Sequence, residues 1–312
     1  MSVVCFGELL IDFVALESGV TVGEASGFSK AAGGAPANVA VGVARLGHPA
    51  AFMGQVGDDP FGHYLADVLS ADGVNVDGLR FSPSARTGLA FVSLSADGER
   101  SFVFYRHPSA DMLMTPDDVL ADVIAGGRVF HFGSITLIHE PSAGATRHAV
   151  QIARDNGLLI SYDPNLRLAL WPSAEQARAG LLSGLEGAHI VKVSEEEIDF
   201  LADGDVSALW RPDMRLIVVT AGAGGATAYP RDGEPVHVPV PLDGIAPVDT
   251  TGAGDSFVAG LLAGIMDNPD NYMERLPSLL RFANACGALT TTQRGAIPSL
   301  PTRDQVLARL GG

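Results

Sequence analysis

Between Arg128 and Thr220 the chain alternates short, mainly apolar runs with stretches of helical spacing, and this rhythm leaves few folds open. Residues 129–134 (VFHFGS), 158–163 (LLISYD), 189–194 (HIVKVS) and 216–220 (LIVVT) read as strands. Residues 142–156, 174–186 and 195–203 read as the helices that follow the first three. A strand that stays apolar without alternating is buried on both faces, which implies a parallel sheet with helices on either side. Ligands of such sheets bind beyond the carboxyl ends of the strands. Polar residues stand at those ends: Asp163 and Asn165, then Ser194 and Glu197, then Thr220 and Gly222.

The N-terminal part adds a strand at 3–6, stopped by Gly7, and an extended run at 10–16. Residues 36–46 have helical spacing, with Pro36 in the first turn and Gly47 just past the end. Between about 79 and 106 the pattern changes to period two, and Asp97-Gly98 signals a hairpin. We read residues of about 10–29 and 79–107 as a small β layer attached to the main body and able to act as a lid. With no repeat and no linker, residues 1–312 form a single unit.

Charge narrows the function classes. Twenty Lys+Arg against 36 Asp+Glu give a net charge of -16, which excludes a general nucleic-acid binder. Affinity for an anion must then come from local devices such as helix N-termini, placed arginines or a metal ion. Cys5 and Cys286 form no metal or disulfide pattern. The N-terminus lacks the basic start of a secretory signal, and no apolar run reaches the roughly 18 residues of a membrane span. The expectation is a cytoplasmic protein.

Two segments carry chemistry. In DTTGAGDSF (249–257), Gly252-Ala253-Gly254 leaves consecutive backbone N–H groups bare at the start of an apolar helix, a geometry that receives anions. Asp255 adds a carboxylate beside those donors. It is either a helix cap or a general base that takes a proton from an attacking hydroxyl. In GGAPANVAVGVARLG (33–47), Gly33-Gly34 lets backbone approach a ligand, and Asn38 offers both donor and acceptor. A tight turn before a small-residue helix would look the same.

Together, in this order and about two hundred residues apart, the segments resemble the two signatures of the ribokinase-like (PfkB) carbohydrate kinases. The resemblance runs from Val4 to about Pro298. It implies an α/β fold, a doubly wound and mainly parallel sheet with a small β-sheet lid, and transfer of phosphate from ATP to a sugar. It also implies roles for individual residues. Asp255 matches the catalytic base, and the backbone of Gly252, Ala253, Gly254 and Asp255 its anion hole. Asp12, Gly33, Gly34 and Asn38 match the sugar site. Lys192, Ser194, Thr220, Gly222, Gly225 and Asn284 fall where the nucleotide is held. Glu197 matches the acid of an Asn-x-x-Glu motif that places Mg²⁺ through water, although Ser194 stands at the first position here. Asp249 and Thr251 lie where a monovalent cation such as K⁺ binds. A homodimer formed through the lid completes the expectation.

The run FVFYRHPSADMLM (102–114) is similar to that of fructokinases, as is SYDPNLRLALW (161–171). Arg106, Asn165 and Arg167 are therefore expected at the substrate, and fructose is the expected acceptor. 2-Keto-3-deoxygluconate kinases share both arginines and are the alternative, because a carboxylate would pair with them. A nucleoside kinase would stack its base on lid aromatics, and a non-catalytic sugar-binding regulator would have an eroded GAGD turn. No Walker-type GxxxxGK[ST] segment is present.

Overall fold

The structure is a computed structural model that describes residues 1–94, 100–241 and 244–311. Its elements are, in order, β1 (Ser2–Phe6), β2 (Leu10–Ser18), β3 (Phe28–Gly33), α1 (Ala35–Arg45), β4 (Ala50–Gly57), α2 (Pro60–Ala71) and β5 (Val74–Ser82). The small sheet continues with β6 (Leu89–Leu94) and β7 (Arg100–Tyr105). Then come α3 (Ala121–Ala125), β8 (Gly127–Gly133), α4 (Ser142–Asp155), β9 (Leu159–Asp163), α5 (Ala174–Ser183), β10 (Ile190–Ser194) and α6 (Glu195–Ala202). The chain ends with β11 (Leu216–Thr220), β12 (Ala226–Pro230), β13 (Val236–Val238), α7 (Ala253–Asp267), α8 (Leu276–Thr290), α9 (Ala296–Ser299) and α10 (Arg303–Leu310).

Nine strands form the main sheet in the order β13-β12-β11-β10-β9-β8-β1-β4-β5. All pairings from β11 to β5 are parallel, and β12 and β13 add an antiparallel edge. The apolar runs explain this layout. Along β1, Val3 and Cys5 enter a core shared with α1, α7 and α8, whereas Val4 and Phe6 enter a second core with α4, α5 and α6. In β11, Leu216 and Val218 face the first core and Ile217 and Val219 the second. The strands are apolar at most positions because both faces are covered.

The chain runs from β1 outward to β4 and β5, then returns to β8 on the other side of β1. The order therefore reverses between β1 and β8, and a crevice opens beyond their carboxyl ends. Over it stands a second sheet in the order β3-β2-β6-β7. Asp12, Ala90 and Phe104 are in register across it, and Asp12 and Phe104 line the crevice. Their neighbours Phe13 and Phe91 stack at 5.1 Å, and Phe13 meets Phe61 of α2 edge-on.

This small sheet is the expected lid, with two boundary corrections. Residues 79–82 belong to β5, where Phe81 is paired with Val56 of β4, and not to the lid. An edge strand exposed on one face alternates just as a lid strand does, so periodicity could not separate them. The lid strand β3 runs to Gly33, beyond residue 29, because it delivers the chain to the Gly33-Gly34 turn. The Asp97-Gly98 turn lies outside the described residues, although β6 and β7 pair antiparallel as a hairpin requires. Among the described residues no helix is long and apolar enough to cross a membrane.

Candidate active site

At the crevice a cavity of about 180 Å³ is lined by Glu8, Asp12, Gly34, Asn38, Asn165, Arg167 and the turn that heads α7. Asp255 is its buried floor. It stands in the first turn of α7, yet no side chain caps that helix. Asn38 Nδ2 donates to Asp255 Oδ2 at 2.8 Å, and Asn165 Nδ2 to Oδ1 at 3.4 Å. The carboxylate is thus aimed across the crevice at α1 and at the loop after β9, which excludes the capping explanation. Burial pushes its pKa above the ordinary value, while the Asn38 bond, Arg167 and Lys192 pull back. A carboxylate that holds protons more strongly than usual, yet stays hydrogen-bonded in its charged form, is suited to a general base.

The turn before it is built to meet an anion. Gly252 has φ 78°, and a Cβ there would press on Ala296. The amide of Ala253 already donates to the Thr250 carbonyl at 3.2 Å. The free donors among the described residues are thus those of Gly252, Gly254 and Asp255, three of the four amides expected in the anion hole. The positive end of α7 reinforces them.

Two glycines shape the opposite wall. Gly34 has φ 115°, and any Cβ would strike the backbone carbonyl of Glu8. At Gly33 a Cβ would strike the Asp12 carboxylate. Burial raises the Asp12 carboxyl to about 7, with Arg167 opposing and Asp255 adding to the rise. Glu8, raised to about 7 by burial, accepts from the Ala35 amide at 2.8 Å and so holds the start of α1. Its carboxyl lies in the cavity, and sequence reasoning missed it. The available signal was an acid two residues past an apolar strand, at the strand's carboxyl end.

A second, mainly apolar cavity of about 260 Å³ is lined by Thr220, Gly222, Gly225, Ala253, Phe257 and Asn284, among others. It shares Thr250 and Gly254 with the first cavity, so the two meet at the head of α7. Gly225 (φ 102°) lies against Val238 and Pro239, and Asn284 is buried with Nδ2 donating to the Val238 carbonyl at 2.8 Å. Asn284 is therefore part of the cavity wall and not an exposed helical residue.

A model of the pfkB family of carbohydrate kinases matches residues 1–303. The chain belongs to the pfkB family of carbohydrate kinases. It is 52% identical over 316 residues to probable fructokinase-2 of Arabidopsis thaliana, covering 99% of this chain and 95% of that one. It is 53% identical to fructokinase-1 of Zea mays, covering 98% and 96%. Among solved structures it is similar to a fructokinase from Xylella fastidiosa with bound ATP, with TM-score 0.91, 37% identity and coverage of 99% and 98%. A fructokinase from Vibrio cholerae solved with fructose, ADP and calcium ion has TM-score 0.87 and 34% identity, covering 99% of each chain.

The chain has two cavities that meet beside Asp255, and most of the residues expected for acceptor and nucleotide gather in their walls. Arg106 is the exception. It is buried and paired with Asp111, which also accepts from Ser109, and it lines a neighbouring cavity on the far side of Phe104. It does not arch over the acceptor site, because Asp111, five residues on, already holds its guanidinium. Arg167 does line the acceptor cavity.

Lys192 pairs with Asp163 at 3.3 Å beneath Gly254. Burial works against its charge, but Asp163, Glu197 and Asp255 outweigh that effect and its pKa rises. Ser194 and Glu197 form a capping box on α6: Ser194 Oγ accepts from the Glu197 amide at 3.1 Å, and Glu197 Oε2 from the Ser194 amide at 2.8 Å. Glu197 Oε1 accepts from the Leu166 amide at 2.7 Å, anchoring the loop that carries Asn165 and Arg167. Asp249 similarly binds the amide and hydroxyl of Thr251 through Oδ1, and the Gly295 amide through Oδ2. Among the described residues no three acids, histidines or cysteines cluster as a metal cage. A divalent ion carried in on nucleotide phosphates would find Asp163 and Glu197 among the carboxylates beside Lys192.

Proposed function

We propose that this kinase is a fructokinase, transferring the γ-phosphoryl group of ATP to the primary hydroxyl of D-fructose to give D-fructose 6-phosphate. The charge of the acceptor cavity carries this reading. Its ionisable lining is Glu8, Asp12 and Asp255 against the single Arg167. Such a cavity holds hydroxyls well and a carboxylate poorly. The second arginine that an acid sugar would use, Arg106, is neutralised by Asp111 and lies outside the cavity. A neutral ketohexose is thereby favoured over 2-keto-3-deoxygluconate, in keeping with the fructokinases among its relatives.

The sugar sits between Asp12, the Gly33-Gly34 turn, Asn38 and Asn165. Asn38 Oδ1 is buried without a partner and is open to a sugar hydroxyl. The adenine side of ATP occupies the cavity between Thr220 and Asn284, and the phosphates run toward Gly254. The small sheet closes over the sugar and excludes water, the competing acceptor. Asp255 removes the proton of the primary hydroxyl as its oxygen attacks the γ-phosphorus. The bond from that phosphorus to the ADP oxygen breaks, and the amides of Gly252, Gly254 and Asp255, with Arg167, receive the charge on the transferring group. Mg²⁺ brought in with ATP would lie near Asp163 and Glu197 and would neutralise part of the phosphate charge.

Three further readings belong to the same proposal. The 249–251 turn is the place for a K⁺ ion that stiffens the anion hole. The outer lid face, with Val103 40% and Tyr105 63% exposed beside Phe13 and Phe91, supports a homodimer. Two buried, free thiols, Cys5 and Cys286, suit a reducing cytoplasm.

The test is a sugar panel with ATP and magnesium. Fructose is expected to give the highest kcat/KM, at least ~100-fold above 2-keto-3-deoxygluconate, about 3 kcal/mol of transition-state preference. Preference for the keto acid would overturn the substrate assignment and leave the kinase chemistry standing.

A further inference from the structure

The opposite end of the main sheet holds a cavity of about 690 Å³ that the kinase reaction does not use. It lies at the amino ends of β8, β9, β10 and β11, and its wall includes Ile265 near the end of α7. In a chain of net charge -16 its lining is unusual: Arg128, Arg154 and Arg215 converge there with His189 and Tyr272.

Not all of that charge is taken up by the protein. Arg128 pairs with Asp270 at 2.8 Å, and Arg154 with Asp213 at 2.5 Å. Among the described residues the Arg215 guanidinium meets no carboxylate within ion-pair distance. Tyr272 is 6% exposed, and its hydroxyl has no hydrogen-bond partner of good geometry. The Arg215 guanidinium stands beside that hydroxyl, so the two present their donors together at the cavity wall. Burial pushes the Tyr272 phenol up and the nearby Arg215 pulls it partly back, so the hydroxyl keeps its proton. His189 Nδ1 accepts from the Ile160 amide at 2.9 Å, which leaves Nε2 to carry the ring proton.

We propose that this cavity is a second anion site, which binds a phosphomonoester with its phosphate between Arg215, Tyr272 and His189. A guanidinium with no carboxylate partner, a buried hydroxyl and an imidazole N–H supply the donors that phosphate oxygens need. The volume leaves room for a sugar attached to that phosphate. The 15 residues of α7 span about 22 Å. One end of the helix carries Asp255, and the other lines this cavity, so an occupant would lie against the same rod that positions the base.

Calorimetric titration of inorganic phosphate and of fructose 6-phosphate tests this, using chain whose active site is filled with fructose and a non-hydrolysable ATP analogue. One further site is expected in the filled protein. Arg215→Gln should weaken it by at least ~tenfold and Tyr272→Phe by several-fold. Both variants should keep wild-type kcat/KM in anion-free buffer. Tighter binding of fructose 6-phosphate than of phosphate identifies a sugar phosphate as the ligand, and equal affinity identifies free phosphate. Absence of binding to the filled protein, or binding that neither substitution weakens, would overturn the proposal. Neither result bears on the fructokinase reading, which concerns the other end of the strands.

Discussion

Replacing Asn38 by alanine separates the positioning of the base from the chemistry it performs. Asn38 donates at 2.8 Å to Asp255 Oδ2 inside a buried crevice, so the bond exists mainly to favour the ionised carboxylate. A hydrogen bond to a charged group is worth roughly 1.5–3 kcal/mol. Its removal leaves burial less opposed, and the Asp255 pKa rises further. The acid limb of the kcat/KM profile must therefore move to higher pH. Below the limb, Asn38→Ala should lose a further ~10- to 150-fold relative to wild type, and this deficit should shrink as pH rises and Asp255 ionises in both proteins. A residual, pH-independent rise in KM for the sugar would remain, because Asn38 Oδ1 is also lost. The assay is steady-state kinetics from pH 5 to 9 with saturating ATP. An acid limb that stays in place while activity falls uniformly would refute the coupling and reduce Asn38 to a sugar contact.

Two predictions follow from groups that surround the site. Gly34→Ala places a side chain at φ 115° and against the Glu8 carbonyl, so urea unfolding should show a loss of at least ~2 kcal/mol together with weaker sugar binding. Glu8→Gln should change how stability depends on pH. Burial raises the Glu8 carboxyl from 4.5 to about 7, so across that window the folded chain holds a proton that the unfolded chain has released. Stability then falls as pH rises from 4.5 to 7, by about 3 kcal/mol from this group, and the glutamine variant should flatten that fall and be more stable at pH 8. A wild-type curve that is level through the window would remove the buried-acid account of Glu8.

The architecture was legible because buried parallel strands cannot disguise themselves. Runs such as LIVVT have no polar position to expose, and the helices after them begin and end within a few residues of expectation. The GAGD turn was legible for a related reason: bare amides at a helix start have one common use. Less was visible where role depends on pairing across the fold. Glu197 looked like a carboxylate for a metal, yet its hydrogen bonds cap α6 and anchor the loop at Leu166. Arg106 looked like a substrate arginine, yet Asp111 claims it. Glu8 was overlooked because its one signal, a place two residues past the end of β1, is weak beside the motif that marks Asp12. The β4–α2 junction held a signal that went unread in Asp59-Pro60, where Asp59 accepts from the amides of Phe61 and Gly62 and Pro60 opens the helix.

At the centre of the account stands one carboxylate between two cavities, acting on the hydroxyl that enters from the first upon the phosphate that enters from the second. Asp255→Asn preserves its shape and its place at Asn38 while abolishing its basicity. With fructose and ATP saturating, kcat should fall by about 10²- to 10⁴-fold, with the unfolding transition and ATP affinity close to wild type. Turnover within a few-fold of wild type would contradict the assignment of the base.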